Sequence, residues 1–183
     1  MGMYLSYKEA DSASIERMIA RCGEESPKED PLSGCGNSLP EEPEVYILSE
    51  VEAKGEVCYL DKMWDGLHCL LTGTGACSPV SENLLSEAVV GGQAYSDEGA
   101  YFVSYISPER LPQILAALNE FDLEAALEAF SPEHFEREGI YPHIWLKEDK
   151  EELKRELRAV FLVLRDFYDR MVKKNRGVIM SLY

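Results

Sequence analysis

One long helix limits the folds that are open to this chain. Residues 147–175 carry apolar side chains at helical spacing, with acidic residues at the start and basic residues at the end, as the helix dipole prefers. The middle of this segment is apolar almost all round, which predicts that the helix runs through the core. Gly177 ends the helical pattern, and the residues after it, VIMSLY, predict a strand.

Two other segments predict strands, one at the start of the chain and one in its middle. Residues 1–7 (MGMYLSY) and 101–106 (YFVSYI) are rich in aromatic and apolar residues and lack a helical period. Several consecutive helices lie between the strands, which favours an α+β fold over regular βαβ winding. We therefore predict a single compact α+β domain over residues 1–183. Its small, mostly antiparallel sheet joins the N-terminal, central and C-terminal strands and is covered by several helices.

The charge of the chain restricts its partners. A chain of 183 residues with 45% hydrophobic residues can bury a substantial core, but its formal net charge is −16. This charge argues against binding to nucleic acid or to anionic membranes, which require Lys and Arg. It favours a basic protein partner, although an acidic balance is also common among soluble cytosolic proteins. Residues 23–44, which hold four prolines and mostly acidic charges, predict a long mobile loop.

The cysteines and the N-terminus predict a soluble cytoplasmic protein. The five cysteines are odd in number and form no CxxC pair, which argues against a zinc ribbon and against a complete disulfide framework. Reduced thiols are typical of the cytosol. The N-terminus has charged residues where a signal peptide needs an apolar run, and no stretch reaches transmembrane length.

The segment LDKMWDGLHCLLTGTG, residues 60–75, is the densest run of unusual residue types in the chain. It predicts a helix with Asp61 as the N-cap and with Gly73 as a left-handed stop. At about 100° per residue, the helix has one apolar side and one polar stripe. The polar stripe consists of Asp65, His68, Cys69 and Thr72.

The polar stripe is unusual for a helix face that only needs solvation. Asp, His, Cys and Thr are poor helix formers, whereas exposed faces usually carry Lys, Glu, Arg or Gln. The stripe therefore predicts burial under another element or exposure in a pocket. Asp65 lies three residues before His68 and could orient its imidazole for proton transfer. The alternative is a buried, hydrogen-bonded His68 beside Trp64.

A second unusual segment is GIYPHIW, residues 139–145. Pro142 forces Tyr141 into an extended conformation and has no backbone N–H to donate, so the backbone here is fixed and non-helical. The segment is the expected partner of the polar stripe. If a cleft lies between them, its residues are Trp64, Asp65, His68, Cys69, Thr72, Tyr141, His143 and Trp145.

The sequence holds no strong catalytic motif. GxSxG, HExxH and Walker patterns are absent, and TGTG at residues 72–75 follows a helix, whereas phosphate loops precede one. Asp65, His68, Cys69 and His143 could in principle bind a metal, but their spacing matches no known ligand set. No metal and no cofactor are expected.

The chain opens with MGM and carries LDKMWDGLHCLLTG, the Gly91-Gly92 pair, a central strand followed by Ser-Pro, and IYPHIW with FYDRM after it. Taken together, these motifs resemble the YfbM-like family. The resemblance covers nearly the whole chain except residues 23–44. It implies a compact α+β domain from a bacterial cytoplasm, in a family without an assigned function. No catalytic residue is carried over.

Three functions remain open at this point. The first is a non-catalytic interaction module, such as an immunity-like acidic partner that neutralises a basic toxin. The second is a small-molecule binder or an enzyme, with His68 as the proton-transfer group and the aromatic residues as a stacking wall. In the third, both unusual segments are purely structural.

Overall fold

The structure, a computed structural model, describes residues 2–23, 55–92, 94–97 and 100–183. Its sheet has five strands in the order β2-β1-β5-β4-β3, and every neighbouring pair is antiparallel. The strands are β1 (Leu5–Ala10), β2 (Val57–Tyr59), β3 (Tyr95–Asp97), β4 (Ala100–Ile106) and β5 (Gly177–Leu182). The predicted α+β class is confirmed.

Seven α-helices and one 3₁₀ turn are found in the described part of the chain. The helices are α1 (Ser12–Gly23), α2 (Trp64–Thr72), α3 (Leu84–Val90), α4 (Leu111–Glu120), α5 (Leu123–Ala129), α6 (Pro132–Arg137) and α7 (Lys150–Lys173). The 3₁₀ turn, Asp61–Met63, leads directly into α2. Among the described residues, no helix combines the length and the apolar character needed to cross a bilayer.

The three predicted strands form the centre of the sheet. β1 pairs with β5 over six residues, from Leu5 opposite Leu182 to Ala10 opposite Gly177. β4 lies on the other side of β5. The two ends of the chain are therefore held side by side, with the central strand next to them.

The long helix α7 and the sheet enclose the largest core cluster. Tyr7 on β1 and Tyr168 on α7 are fully buried, and their rings meet edge to face. The Tyr7 hydroxyl donates to the Val89 carbonyl at 2.7 Å, and the Tyr168 hydroxyl donates to the Ala88 carbonyl at 2.6 Å. These two bonds fix the last turn of α3 against the core and satisfy both buried hydroxyls.

The opposite face of the sheet is covered in part by α1. Ile15 and Met18 of α1 pack on Ala10, Val103 and Ile179 of the sheet. Residues 24–44 of the predicted mobile loop lie outside the described residues, and Gly23 is the last residue of α1.

A separate core cluster surrounds the indole of Trp145, which is fully buried. The rings of Phe130 and Phe135 meet this indole edge to face, with centroids 6.1 Å and 4.8 Å away. We call it the Trp145 cluster, and its buried members are Met63, Cys69, Leu127, Phe130, Phe135, Ile140, Trp145, Leu153 and Leu157. The cluster joins α2 to the short helices α5 and α6 and to the start of α7.

Candidate functional site

Helix α2 begins and ends in different ways. At its end, Gly73 has φ +83° and donates its N–H to the Cys69 carbonyl, which confirms the predicted left-handed stop. At its beginning, the prediction that Asp61 is the N-cap is wrong. The 3₁₀ turn places Met63 at the N-cap position, where no side chain caps the helix, and Asp61 has φ +47°. Asp tolerates this left-handed conformation better than most residues.

Asp65 connects three segments of the chain through its carboxylate. The side chain is buried, with 5% of its surface exposed. Its Oδ1 accepts the Ala76 N–H at 2.6 Å, and its Oδ2 accepts the Tyr141 N–H at 2.8 Å. Both oxygens are thus used by backbone donors, so Asp65 does not hydrogen-bond His68 as the sequence suggested. The carboxylate instead fastens α2 to the loop after it and to residues 141–145.

His68 is fully buried and has a hydrogen-bond partner on each ring nitrogen. Its Nδ1 lies 2.8 Å from the Thr74 carbonyl oxygen, which can only accept, so this nitrogen carries the proton. Its Nε2 lies 2.8 Å from the Ser86 Oγ and accepts the hydroxyl proton. The same Ser86 oxygen accepts the Val80 N–H at 3.1 Å. Every donor and acceptor in this series of hydrogen bonds has a partner when the imidazole is neutral.

The surroundings of His68 keep it neutral. Burial lowers the pKa of the imidazole, and the Thr74 carbonyl and the Asp65 carboxylate oppose this effect without cancelling it. A protonated ring would bring a second N–H against the Ser86 hydroxyl, which would have to turn away from its present bond. The arrangement suits a fixed hydrogen-bonding role better than proton exchange with a bound molecule.

The other two residues of the polar stripe are also occupied. Cys69 is buried in the Trp145 cluster, where burial and the nearby Asp65 and Glu138 carboxylates raise the pKa of its thiol to about 12. It is therefore a neutral thiol near pH 7. The Thr72 hydroxyl donates to the His68 carbonyl at 2.8 Å, within its own helix.

The aromatic residues of the predicted pocket divide into two groups. Trp64 stacks on Tyr141 with ring centroids 6.0 Å apart, and the Tyr141 hydroxyl accepts the Met3 N–H at 3.0 Å. The Trp145 Nε1–H donates to the Ile140 carbonyl at 2.6 Å, inside its own cluster. His143 is exposed and has φ +62°.

The two unusual segments therefore meet, but they meet in direct packing. Besides the bond from Tyr141 to Asp65, Gly66 of α2 lies against the Trp145 ring so closely that a Cβ there would be 2.8 Å from Cζ2. At these two contacts the segments touch directly, with no ligand-sized gap between them. In the described part of the chain, no three His, Cys, Asp or Glu side chains are grouped as metal ligands.

A cavity of about 430 Å³ does lie beside this contact, one turn before α2. Tyr141 is the single member of the predicted pocket that lines it. The lining residues are Gly2, Asp61, Lys62, Met63, Tyr141, Pro142, Ile144 and Glu156. Sequence reasoning missed most of them because Asp, Lys and Glu are common surface residues. The adjacent opposite charges of Asp61 and Lys62, at a turn before a helix, were the available signal.

Comparisons with known proteins agree with the fold. Residues 1–181 match the family model of a domain of unknown function, DUF1877. Protein YfbM of Escherichia coli (strain K12) is 32% identical over 92 residues, and this alignment spans 50% of the chain and only 55% of that relative. A crystal structure of YfbM from Escherichia coli, described as a protein of unknown function, has a TM-score of 0.73 at 20% identity. The structural match covers 98% of this chain and 99% of the YfbM chain.

The structural match carries the architecture alone, because its sequence identity is low. The family model, in contrast, spans residues 1–181, which include both unusual segments and all but the last residue of the three long strands. By this match, the chain belongs to the YfbM-like family of proteins built on the domain of unknown function DUF1877.

Proposed function

We propose that this protein is a non-catalytic binding module that presents an acidic surface to a basic protein partner. The observation that carries the proposal is the acidic charge of residues 120–152, a segment that contributes Leu127, Phe130, Phe135, Ile140 and Trp145 to the Trp145 cluster. Residues 120–152 contain eleven acidic and three basic residues. Of these, Glu120, Glu128 and Glu148 are exposed and have no ion-pair partner among the described residues.

A rigid support for these charges makes them suited to recognition. Asp122 caps α5, Ser131 caps α6 and Asp149 caps α7, each by accepting backbone N–H bonds. The helices pack on the buried aromatic rings of the Trp145 cluster. Exposed charges on a fixed frame steer an oppositely charged partner and set its orientation.

The alternative function, an enzyme with His68 as the proton-transfer group, has weaker support. A general acid or base must come within hydrogen-bond reach of its substrate. His68 is fully buried, both of its nitrogens are occupied, and it does not line the cavity. The satisfied geometry of the polar stripe supports a structural role for this segment.

The proposal places the module in the bacterial cytoplasm. Its similarity to a protein of Escherichia coli supports the bacterial source. The buried free thiols of Cys58 and Cys69 fit a reducing compartment, where cysteines stay unpaired.

The experiment compares two triple variants in binding to proteins of a bacterial lysate, with bound proteins identified and their affinities then measured. The test variant is Glu120→Gln/Glu128→Gln/Glu148→Gln. The control variant, Glu16→Gln/Glu82→Gln/Glu109→Gln, changes the net charge equally at other exposed positions. We expect a basic partner whose affinity falls about tenfold in the test variant, since each exposed charge pair contributes up to roughly 1 kcal/mol.

Two outcomes would overturn the proposal. Equal losses in both variants would mean that the partner senses only the total charge. Binding that does not weaken as salt rises from 50 to 500 mM would mean that these carboxylates do not attract the partner.

A further inference from the structure

The cavity of about 430 Å³ is built by four separate parts of the chain. Gly2 comes from the N-terminal segment, residues 61–63 from the 3₁₀ turn, and Glu156 from α7. Tyr141, Pro142 and Ile144 complete the wall. The bond from Tyr141 to the buried Asp65 holds this wall in place. The volume lies within the range of about 300–1,000 Å³ that is typical of small-ligand pockets.

The carboxylates at this cavity lack neutralising partners. Neither Asp61 nor Glu156 forms an ion pair within the described ranges, although most charged residues of α7 do. Lys62 also lines the cavity, but its ammonium lies 5.7 Å from the centre of the Tyr4 ring and pairs with neither carboxylate.

The local field at Glu156 is negative. Partial burial and, after it, the Glu152, Glu148 and Asp61 carboxylates raise the pKa of Glu156, against the opposing charge of Arg155. A carboxylate that lies beside a cavity and close to other carboxylates is stabilised when a cation enters the cavity. A neutral or anionic ligand would leave this repulsion in place.

The remaining walls suit an apolar stem behind the cation. Met63, Pro142 and Ile144 contribute aliphatic surface, and Tyr141 contributes an aromatic ring. Alkyl stems bury their methylene groups against such surface while the charged end reaches a polar partner. Aromatic faces add attraction for a nearby cation.

We propose that this cavity binds a primary ammonium or guanidinium group on an alkyl stem, with Glu156 and Asp61 as the groups that contact the cation. The inference rests on the proposed function in one respect: a lysine or arginine side chain of the basic partner is one source of this group. A free alkylamine is the other source.

Lys62 acts in this arrangement as a built-in competitor. Its positive charge at the same cavity opposes the entry of a second cation. Removing this charge is therefore expected to strengthen binding, whereas removing the Glu156 charge weakens it. Opposite effects of two neighbouring substitutions are difficult to obtain from general loss of structure.

The test is a titration of the full chain, followed by NMR of backbone amides. The probes are n-butylamine, n-butylguanidine and, as an uncharged control of similar shape, n-pentanol. We expect saturable shifts at Gly2, Met63 and Ile144 with the two cations and none with the alcohol. Equal shifts with all three probes, or no saturation with the cations, would overturn the proposal.

The variants locate the binding group. We expect Glu156→Gln to weaken binding of butylamine about tenfold and Lys62→Gln to tighten it about threefold. Asp166→Asn is the matched control, because it removes the same charge from α7 at a distance of roughly 15 Å along the helix. The control is expected to bind as the unchanged protein does. Wild-type affinity in Glu156→Gln would exclude the cavity as the site.

A lysine-rich peptide of eight residues separates the two sources. If the peptide shifts the same amides at a lower concentration than butylamine does, and Glu156→Gln abolishes this, the source is a protein side chain. Tighter binding of the free amine identifies a small molecule. Failure of the cavity alone would leave the response of the partner to Glu120→Gln/Glu128→Gln/Glu148→Gln intact, so the two proposals fail separately.

Discussion

The polar stripe of α2 and the rim of the cavity lie one turn apart and differ in how their polar groups are used. In the stripe, Asp65 and His68 are buried, and each of their polar atoms has a partner. At the rim, Asp61 and Glu156 are exposed and have no ion pair among the described residues. Unusual residue types for a helix face therefore mark the part that holds the structure together, while ordinary surface charges mark the part that borders the cavity.

The largest expected effect on the free energy of unfolding is that of Asp65→Asn, and the same change at Asp61 is its comparison. Asp65→Asn replaces one acceptor by an NH₂ group that faces a backbone N–H, with the carboxylate charge lost as well. We expect a loss of about 3 kcal/mol in the free energy of unfolding. Asp61→Asn, at the rim, should change it by less than about 0.5 kcal/mol, since Asn also tolerates a positive φ.

Urea denaturation of both variants measures this difference. If the two substitutions cost the same, the contrast between a buried fastening and an open rim is incorrect. A large loss in Asp61→Asn alone would mean that the 3₁₀ turn depends on that carboxylate.

The second prediction concerns the contact between the two unusual segments. Gly66→Ala should improve the helix propensity of α2, by roughly 1 kcal/mol. The new Cβ, however, would overlap the buried Trp145 ring, whose Cζ2 would lie 2.8 Å away. We expect this steric overlap to outweigh the gain in helix propensity, so the free energy of unfolding should fall by about 2 kcal/mol.

Thermal unfolding followed by tryptophan fluorescence checks this sign. A cavity-creating partner substitution, Trp145→Phe, should recover part of the loss when it is combined with Gly66→Ala. A more stable Gly66→Ala protein would mean that α2 and Trp145 are not in direct contact.

The third prediction uses the pH dependence of His68. Burial lowers the folded-state pKa of its imidazole below the unfolded value, so the unfolded chain binds the proton more readily. The contribution of His68 to stability is therefore complete above about pH 6.5 and is lost as the pH falls below it. Between pH 7.5 and 5.5 the unchanged protein should therefore lose stability through His68, by no more than about 1.4 kcal/mol.

Denaturation at the two pH values, compared with His68→Gln, isolates this effect. The variant should be less stable at both pH values, but it should lack the part of the loss between pH 7.5 and 5.5 that comes from His68. His143→Gln, at an exposed position, is the control and should show the same loss of stability between pH 7.5 and 5.5 as the unchanged protein. Identical pH responses in all three proteins would contradict the buried, neutral state of His68.

Sequence reasoning predicted the parts of the fold that carry their own pattern. The long helix α7, the three long strands and the Gly73 stop each follow from periodicity or from a single residue type. Strands β2 and β3 were missed, since a three-residue strand is defined by bonds to its neighbour and not by its own composition. Their existence depends on contacts that are distant in sequence.

The candidate site was predictable in the same partial way. The residue types at positions 65 and 68 indicated burial, but their partners are the backbone groups of Ala76, Tyr141 and Thr74. Every residue type has such groups, so no sequence pattern identifies them. The cavity was missed for the opposite reason, because its charged residues resemble any solvated surface.

The smallest expected effect on stability belongs to Glu156, and it has the opposite sign to that of Asp65. The pKa of Glu156 is raised in the folded protein by burial and by Glu152, Glu148 and Asp61, so its negative charge opposes folding once the pH exceeds that pKa. Because the side chain is largely exposed, solvent weakens this effect. Glu156→Gln should therefore leave the free energy of unfolding at pH 7 unchanged or raise it by less than about 0.5 kcal/mol.

Denaturation at pH 7 and pH 4 tests the sign of this effect. At pH 4 the carboxyl of the unchanged protein is largely protonated, so its stability should approach that of Glu156→Gln, while Asp166→Asn serves as the control on the same helix. Paired with the titration by butylamine, the result separates stability from binding: a rim carboxylate should matter to the ligand and hardly to the fold. A loss as large as that in Asp65→Asn would mean that Glu156 fastens the structure too, and the distinction between the two regions would disappear.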